Sequence, residues 1–387
     1  MRQTFWCTGA RCMRALLMLS AVVVARPVGA QGALSSVGFG YPVSGASTRV
    51  NGTGGAFADF DALTPSNAAV LGGLQRIVLG MQAEPEYRTL RVGAIRERTT
   101  SQRVPLVAIL IPAGKGVGVG FSANSVLDRS YSTRTTGSAV IGSTTVPTTD
   151  QLDVRGAIGA MQAMVGWQAT QFFKIGVGGH LMTGDNTVAR ERRFADTLNF
   201  GGVLDSSRVS YFGTALSIGG EVRLGAGLLA TASYRKGNDL DSRIRDTVRT
   251  RAGVPNRLAG SLRFEGIPGS VFAVGFEQID WARMAALGSS AVRVQNATNW
   301  HAGGEIVGPR LRGYPVLMRA GYAKVQLPFS PTSARVNEQR FTGGLGLPIA
   351  RDAASIDLSI ARASRVLVGG NAKEQAWQLG IGLQVRP

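Results

Sequence analysis

Near the end of the chain, Trp377, Leu379, Ile381, Leu383 and Val385 alternate with Gln378, Gly380, Gly382, Gln384 and Arg386. The same period of two runs through Ile356-Asp357-Leu358-Ser359-Ile360, Phe173-Lys174-Ile175-Gly176-Val177 and Val117-Gly118-Val119-Gly120-Phe121. Side chains of a strand point alternately to opposite faces, so each segment makes a strand with one apolar face and one small or polar face. After residue 30 no apolar run reaches the ~18 residues that mark a membrane helix. The chain reads as all-β, with antiparallel strands.

Two architectures share this pattern. A soluble sandwich or barrel hides its apolar face and needs well-charged outer faces, whereas a transmembrane barrel turns the apolar face to lipid and keeps polar residues inside. Composition decides between them. Only 17% of residues are charged and 52 of 387 are glycine. The non-apolar faces carry mostly Gly, Ser, Gln and Thr, with an occasional Arg263, Glu265, Glu277 or Arg319. Such faces suit a packed or watery lumen, so the expected fold is a transmembrane antiparallel β-barrel. A soluble or surface-attached exported β-protein is the rival.

Strands are expected near 75–84, 88–98, 104–111, 116–128, 151–168, 172–183, 208–221, 225–236, 256–267, 270–281, 296–307, 313–326, 338–349, 354–365 and 374–386. Tight connections at 169–171, 266–269 and 351–353 alternate with long polar ones at 129–150, 184–207, 237–255, 282–295 and 327–337. Short turns at one end and long loops at the other are the habit of outer-membrane barrels, whose strand counts are even. One early segment is therefore a plug piece or half of a bent strand, leaving about 14 strands. Trp167, Trp281, Trp300 and Trp377 fall near strand ends, where an aromatic girdle would put them.

The start of the chain accounts for export. Arg2, Arg11 and Arg14 precede an apolar run at 15–25, and Val28-Gly29-Ala30 supplies a small-residue exit. This is the pattern of a cleaved signal peptide at 1–30, cut after Ala30. Its removal takes four arginines, so the charge falls from +18 to +14, and takes both cysteines, Cys7 and Cys12. Thiol catalysis, disulfides and cysteine-bound metals are thereby excluded from the mature chain. Of 42 basic residues only Lys115, Lys174, Lys236, Lys324 and Lys373 are lysine. The arginines gather at 96–103, 190–193 and 235–251. With no nucleic-acid-binding module beside them, they read as polar loops and pore walls, or as partners of lipid phosphates, and no nucleic acid is expected.

Residues 31–72 precede the first firm strand and are rich in Gly, Ala, Ser and Asp. They include Gly54-Gly55-Ala56-Phe57-Ala58-Asp59-Phe60-Asp61 and then Asn67-Ala68-Ala69-Val70-Leu71. This resembles the opening of the FadL-type outer-membrane transporters and their PorV-like relatives, which carry Gly-Gly-Ala, an Asp and an Asn-Pro-Ala-x-Leu motif. Here Ala68 stands in place of the proline. Arg319-Ala320-Gly321-Tyr322, Gly343-Gly344-Leu345-Gly346-Leu347-Pro348 and Ile356-Asp357-Leu358 resemble that family's late strands. The resemblance implies fourteen strands over 73–387, an N-terminal hatch at 31–72, and passage of long-chain fatty acids or aromatics, often by lateral exit through the wall. It makes Gly54, Gly55, Asp59 and Asn67 the gating candidates. A hydrophobic solute and outer-membrane lipids, including lipopolysaccharide, are the implied partners. PorV-like relatives imply the alternative, a secretion-system or surface-protein partner without flux.

Catalytic chemistry has no foothold in the sequence. His180 and His301 each stand alone in a strand, outside any metal spacing, and read as satisfied lumen or girdle residues. Gly116-x-Gly118-x-Gly120 runs into a strand rather than a helix, so it is no dinucleotide site. Asn238-Asp239-Leu240-Asp241 lacks the closing glutamate of a calcium loop and reads as a plain acidic loop. No enzyme activity, metal or cofactor is expected.

Overall fold

The computed structural model describes residues 39–288, 292–311, 313–330, 334–350, 352–366 and 372–387. The expected signal peptide and residues 31–38 lie outside the described residues. Fourteen strands carry the wall. They begin with β1 Val78–Val92, β2 Ile95–Gly114, β3 Val117–Asp128 and β4 Thr144–Gln168. β5 Phe173–Phe194, β6 Val203–Gly225 and β7 Leu228–Ile244 follow. Then come β8 Arg257–Ile267, β9 Ser270–Ile279, β10 Ala297–Leu311 and β11 Tyr314–Leu327. β12 Val336–Ile349, β13 Ala354–Val366 and β14 Ala372–Val385 complete it.

Each strand pairs antiparallel with its neighbour, and β14 returns to β1, with Trp377 opposite Tyr87 and Val385 opposite Leu79. The barrel is closed. Every wall strand is thus paired on both sides, which a bilayer demands of any backbone that crosses it. Tight turns such as Gly114-Lys115-Gly116, all three residues at positive φ, gather at one end.

The alternation of the sequence is the alternation of the wall. Met81, Phe121, Val177 and Ile381 face outward and are about half exposed, while their neighbours Gln82, Ser122, Gly178 and Gly382 face inward and are buried. A soluble barrel would have the opposite polarity. Trp167, Phe172 and Phe173 ring the outside near the tight-turn end, and Tyr87, Trp300, Phe341 and Trp377 ring it toward the other.

Three expectations are corrected in detail. The early segments 75–84, 88–98 and 104–111 are two strands, not three: the chain runs through Pro85 in β1 and turns at 93–94. Pro85, which lacks an amide donor, stays in the β1–β2 ladder opposite Gln102, next to a bulge at Gln82/Glu84. The loops expected at 129–150, 184–207 and 237–255 are largely strand. β4 and β5 continue upward, Tyr131–Ile141 pairs only with the upper part of β4, and Thr247–Gly253 pairs with the top of β7. The acidic run at 238–241 therefore lies on β7, where Arg251 and Arg243 meet Asp241 at 3.3 and 3.4 Å. Finally, Trp281 is no girdle residue. It is buried in a 3-10 helix, Trp281–Leu287, where its ring meets Phe39 edge-on at 6.2 Å.

Candidate functional site

Residues 39–72 pack against the inside of the barrel, most of them buried. Their backbone touches opposite walls at points where only glycine fits. A Cβ on Gly176 of β5 would lie 2.4 Å from the Ala68 carbonyl carbon, and one on Gly321 of β11 would lie 2.2 Å from that of Thr53. The segment is compact because short polar side chains satisfy its backbone. Ser47 caps α1, Thr48–Gly52, the one α-helix among the described residues, by accepting from the Val50 amide. Asn67 likewise accepts from the Ala69 amide at 3.0 Å and starts the 3-10 turn Ala68–Leu71.

The four residues singled out in the sequence all lie where this segment meets the wall. Gly54 (φ +66°) and Gly55 (φ +91°) press on β10 and β11. The Gly54 carbonyl lies 2.7 Å from His301 Nδ1. Asp59 is buried; Ser261 of β8 donates to it at 2.8 Å, and Arg257 reaches it at 3.4 Å. Asn67 donates to the Asp59 and Gly220 carbonyls at 3.4 and 3.3 Å. Arg257 also pairs with Glu277 at 3.0 Å, and Glu277 lies 3.9 Å from His301. Gly54, Asp59 and Asn67 are thus joined through Arg257, Glu277 and His301 into one chain of polar contacts around the lumen, whereas Gly55 meets it only by packing beside His301.

Other ties could not be read from local sequence, because their partners lie far apart along the chain. Arg49 on α1 pairs with Glu305 at 2.7 Å, and Arg319 bridges Glu305 at 2.6 Å and Asp357 at 2.5 Å. Tyr41 donates to Glu338 at 2.7 Å and lies under the guanidinium groups of Arg88 and Arg365, 4.3 and 4.5 Å from its ring centre. Arg365 holds Glu338 at 2.5 Å and contacts Glu374, while Arg103 joins Glu86 at 2.7 Å to Asp128 at 3.1 Å. Burial pushes the Tyr41 phenol above its ordinary value against the pull of Arg365, so it remains a neutral donor. The signal that could have found these clusters is charge on inward positions of apolar strands, such as Arg319 and Glu277.

α1 divides the lumen. On its long-loop side lies a cavity of about 190 Å³ that reaches Asn51, Gly54, Asp59, Arg235, Arg257 and His301. On its tight-turn side lies one of about 330 Å³ that reaches Thr48, Arg49, Leu63, Arg319 and Asp357. Above the first cavity the mouth is filled by apolar packing, with Phe39, Leu127, Met182, Trp281, Met284 and Phe329 in contact. Arg235 points into this region with no hydrogen-bond partner at Nε among the described residues. His180 lies 2.7 Å from Ser217 Oγ, and its Nδ1 has no partner among the described residues, so it is not the fully satisfied histidine expected from sequence.

The wall is imperfect where α1 meets it. Between β14 and β1 no pair forms between Gln378–Glu86 and Ile381–Ala83, and the β1–β2 register shifts between Gln82 and Glu84. The inward side chains at this break are held by α1. Asn51 donates to Glu84 at 2.9 Å, Thr48 donates to Gln82 at 3.0 Å, and Gln378 also donates to Glu84. Just below, on the outside, β14 and β1 to β6 form an apolar concavity of about 1010 Å³ that includes Met81, Val107, Phe121, Met161 and Leu216.

No protein-family model matches the chain, and no curated protein matches its sequence. Solved structures do match its shape. A FadL homologue of Pseudomonas aeruginosa aligns with a TM-score of 0.64 over 90% of this chain and 99% of its own, at 11% identity. The CymD monoaromatic hydrocarbon channel aligns at 0.59 over 90% and 99%, also at 11% identity. The Pseudomonas putida toluene transporter TodX aligns at 0.58 over 89% and 98%, at 14% identity. At these identities the likeness is one of architecture, and the closed wall of fourteen strands described above has the fold of the FadL-type outer-membrane transporters.

Proposed function

We propose that this chain is an outer-membrane channel for the passive uptake of hydrophobic small molecules, with residues 39–72 acting as a hatch. The observation that carries the reading is the pair of lumen cavities separated by α1, a helix that also holds the broken stretch of wall beside an outward apolar concavity. A solute would enter from the long-loop side, rest against Arg235 above α1, and leave sideways through the β14–β1–β2 seam when Asn51 and Thr48 release Glu84 and Gln82. The straight route down the barrel is blocked by α1 and its Arg49–Glu305 pair. Gly54, Gly55, Asp59 and Asn67 would hold the hatch rather than do chemistry. Solved neighbours described as hydrocarbon channels and a toluene transporter support an apolar solute. Arg235, whose Nε has no partner among the described residues, supports a solute with a carboxylate, such as a long-chain fatty acid.

The test is uptake of labelled oleate by cells that lack their own transporter, with and without this chain, its insertion in the outer membrane being measured in the same samples. Chain-dependent uptake supports the reading. Correct insertion without uptake of oleate or of labelled toluene would overturn it in favour of a barrel that serves a secreted or surface-protein partner.

A further inference from the structure

The outer face of the β13–β14–β1–β2 seam carries cations without carboxylates. Register fixes the rows. At the aromatic belt, Arg362, Trp377, Tyr87 and Thr100 lie side by side. The next outward row has Ser364, Gln375, Thr89 and Arg98, and the one above it Val366, Lys373, Arg91 and Arg96. Rows two residues apart are separated by roughly 7 Å along the strand, and neighbours within a row by about 5 Å. No acidic side chain stands in these rows. None of Arg91, Arg96, Arg98, Arg362 and Lys373 makes an ion pair among the described residues, and all five are exposed. Some arginines on the tall hairpins are paired, Arg192 with Asp150 at 2.6 Å, Arg193 with Glu191 at 2.6 Å and Arg208 with Asp185 at 2.9 Å, while Arg134 and Arg190 there make no ion pair among the described residues but do not cluster as those five do.

Like charges so close repel one another unless an anion lies among them. A hollow of about 370 Å³ opens there, bounded by Tyr87, Arg91, Arg96, Arg98, Gln375 and Trp377. Below it the same face becomes aromatic at Tyr87 and Trp377, then aliphatic at Leu379, Met81 and Ile381. Cations, then aromatic rings, then hydrocarbon, descending one face of the wall, match an amphiphile with an anionic head and acyl tails. A free anion in solution would need only the top of that series.

We propose that this seam is a docking site for a phosphorylated outer-leaflet glycolipid of the lipid A class. Arg91, Arg96, Arg98 and Lys373 hold its phosphate, and the belt and aliphatic rows below receive its acyl chains. Guanidinium groups bind phosphate through paired, charge-assisted hydrogen bonds, which favours arginine here. The site depends on the barrel standing in an outer membrane and is independent of what, if anything, passes through the lumen.

The experiment uses the full mature chain folded in detergent, with bound lipid counted by native mass spectrometry. Three ligands are compared: bis-phosphorylated lipid A, the same lipid after enzymatic removal of its phosphates, and inorganic phosphate as a competitor. Wild-type protein is expected to retain the phosphorylated lipid at least about tenfold better than the dephosphorylated one, a difference of ~1.4 kcal/mol. Inorganic phosphate at millimolar concentration should not displace it. R91Q/R96Q/R98Q should lose that preference, whereas R192Q/R193Q should keep it. Equal retention of the two lipids by wild type, displacement by inorganic phosphate, or a preference undiminished in a triple variant that still shifts on heating in gel electrophoresis would each overturn the proposal. The wild-type comparison needs no variant, so misfolding cannot mask the answer.

Discussion

Asn51 donates its side-chain amide to Glu84 at 2.9 Å, so the helix inside the barrel is fastened to the wall at the place where the ladder of β1 is broken on both sides. Hydrogen bonds to charged groups contribute about 1.5–3 kcal/mol. Asn51→Ala should therefore raise the population of a released helix by roughly ten- to a hundredfold. Amide hydrogen exchange across 46–55 should quicken by that factor, while exchange in β4–β6 stays unchanged. Equal protection in both regions would show that this contact does not hold the helix.

Gly54 is a site where one methyl group should matter. Its φ of +66° disfavours L side chains, and a Cβ would stand 2.7 Å from the Tyr322 amide nitrogen. Left-handed backbone alone costs about 1–2 kcal/mol, and the clash is with backbone that cannot swing away. Gly54→Ala should increase ion leak in planar bilayers. Gly179→Ala is the control, because nothing lies within 4 Å of its Cβ position. Equal conductance of the two variants would count against a barrier built at this point.

Trp281 and Trp300 should respond unequally to truncation. Trp281 is 5% exposed and packs on Phe39, whereas Trp300 is 57% exposed on the outer face of β10. Trp281→Ala should cost about 3–5 kcal/mol. Trp300→Ala, which empties no cavity, should cost much less. Urea unfolding in lipid vesicles measures both.

Arg319 is buried between two carboxylates. Arg319→Leu would leave Asp357 without its cation and Glu305 with Arg49 alone. Removing one partner of a buried pair costs about 3–5 kcal/mol. A second change, Asp357→Asn, should restore part of that loss, and thermal unfolding of the single and double variants would read the coupling.

Arg235 discriminates between solute classes. If it receives a carboxylate, Arg235→Gln should cut oleate uptake by about tenfold and leave toluene uptake unchanged, since the loss of one charge-assisted bond acts only on the acid. Parallel loss of both would assign Arg235 to the architecture of the lumen instead.

The wall was legible in the sequence because a bilayer imposes a simple rule on each strand. Val177 and Ile381 outward, Gly178 and Gly382 inward, is a pattern visible within six residues. Gly54, Gly55, Asp59 and Asn67 were singled out through the family resemblance, not through a rule of this kind; the positive φ of Gly54 and Gly55 is known only from the structure. What stayed hidden was relational. Nothing near Tyr41 announces Arg365, and nothing near Asn51 announces Glu84, because barrel closure alone brings them together. Trp281 was misplaced since proximity to a strand end does not say which side of the wall a ring will take. The upper halves of β1 and β2 read as one separate strand, 88–98, because, beyond the bilayer, both faces of a strand can be polar and the period of two no longer marks the turn at 93–94.

The length of the strands has its own consequence. β4 holds 25 residues and β6 holds 23. At ~3.4 Å per residue these are ribbons of about 80 Å, and a tilted strand needs only ~9–11 residues to cross a bilayer. More than half of each ribbon therefore stands in water as a collar that rises well clear of the lipid heads. Leu198, 97% exposed, sits at its crest. On a cell coated with sugars, the rim of this collar, rather than the bilayer surface, is where the molecule first meets its surroundings. Whatever touches it there, an antibody, a phage tail or a droplet of oil, is met at the height of the carbohydrate.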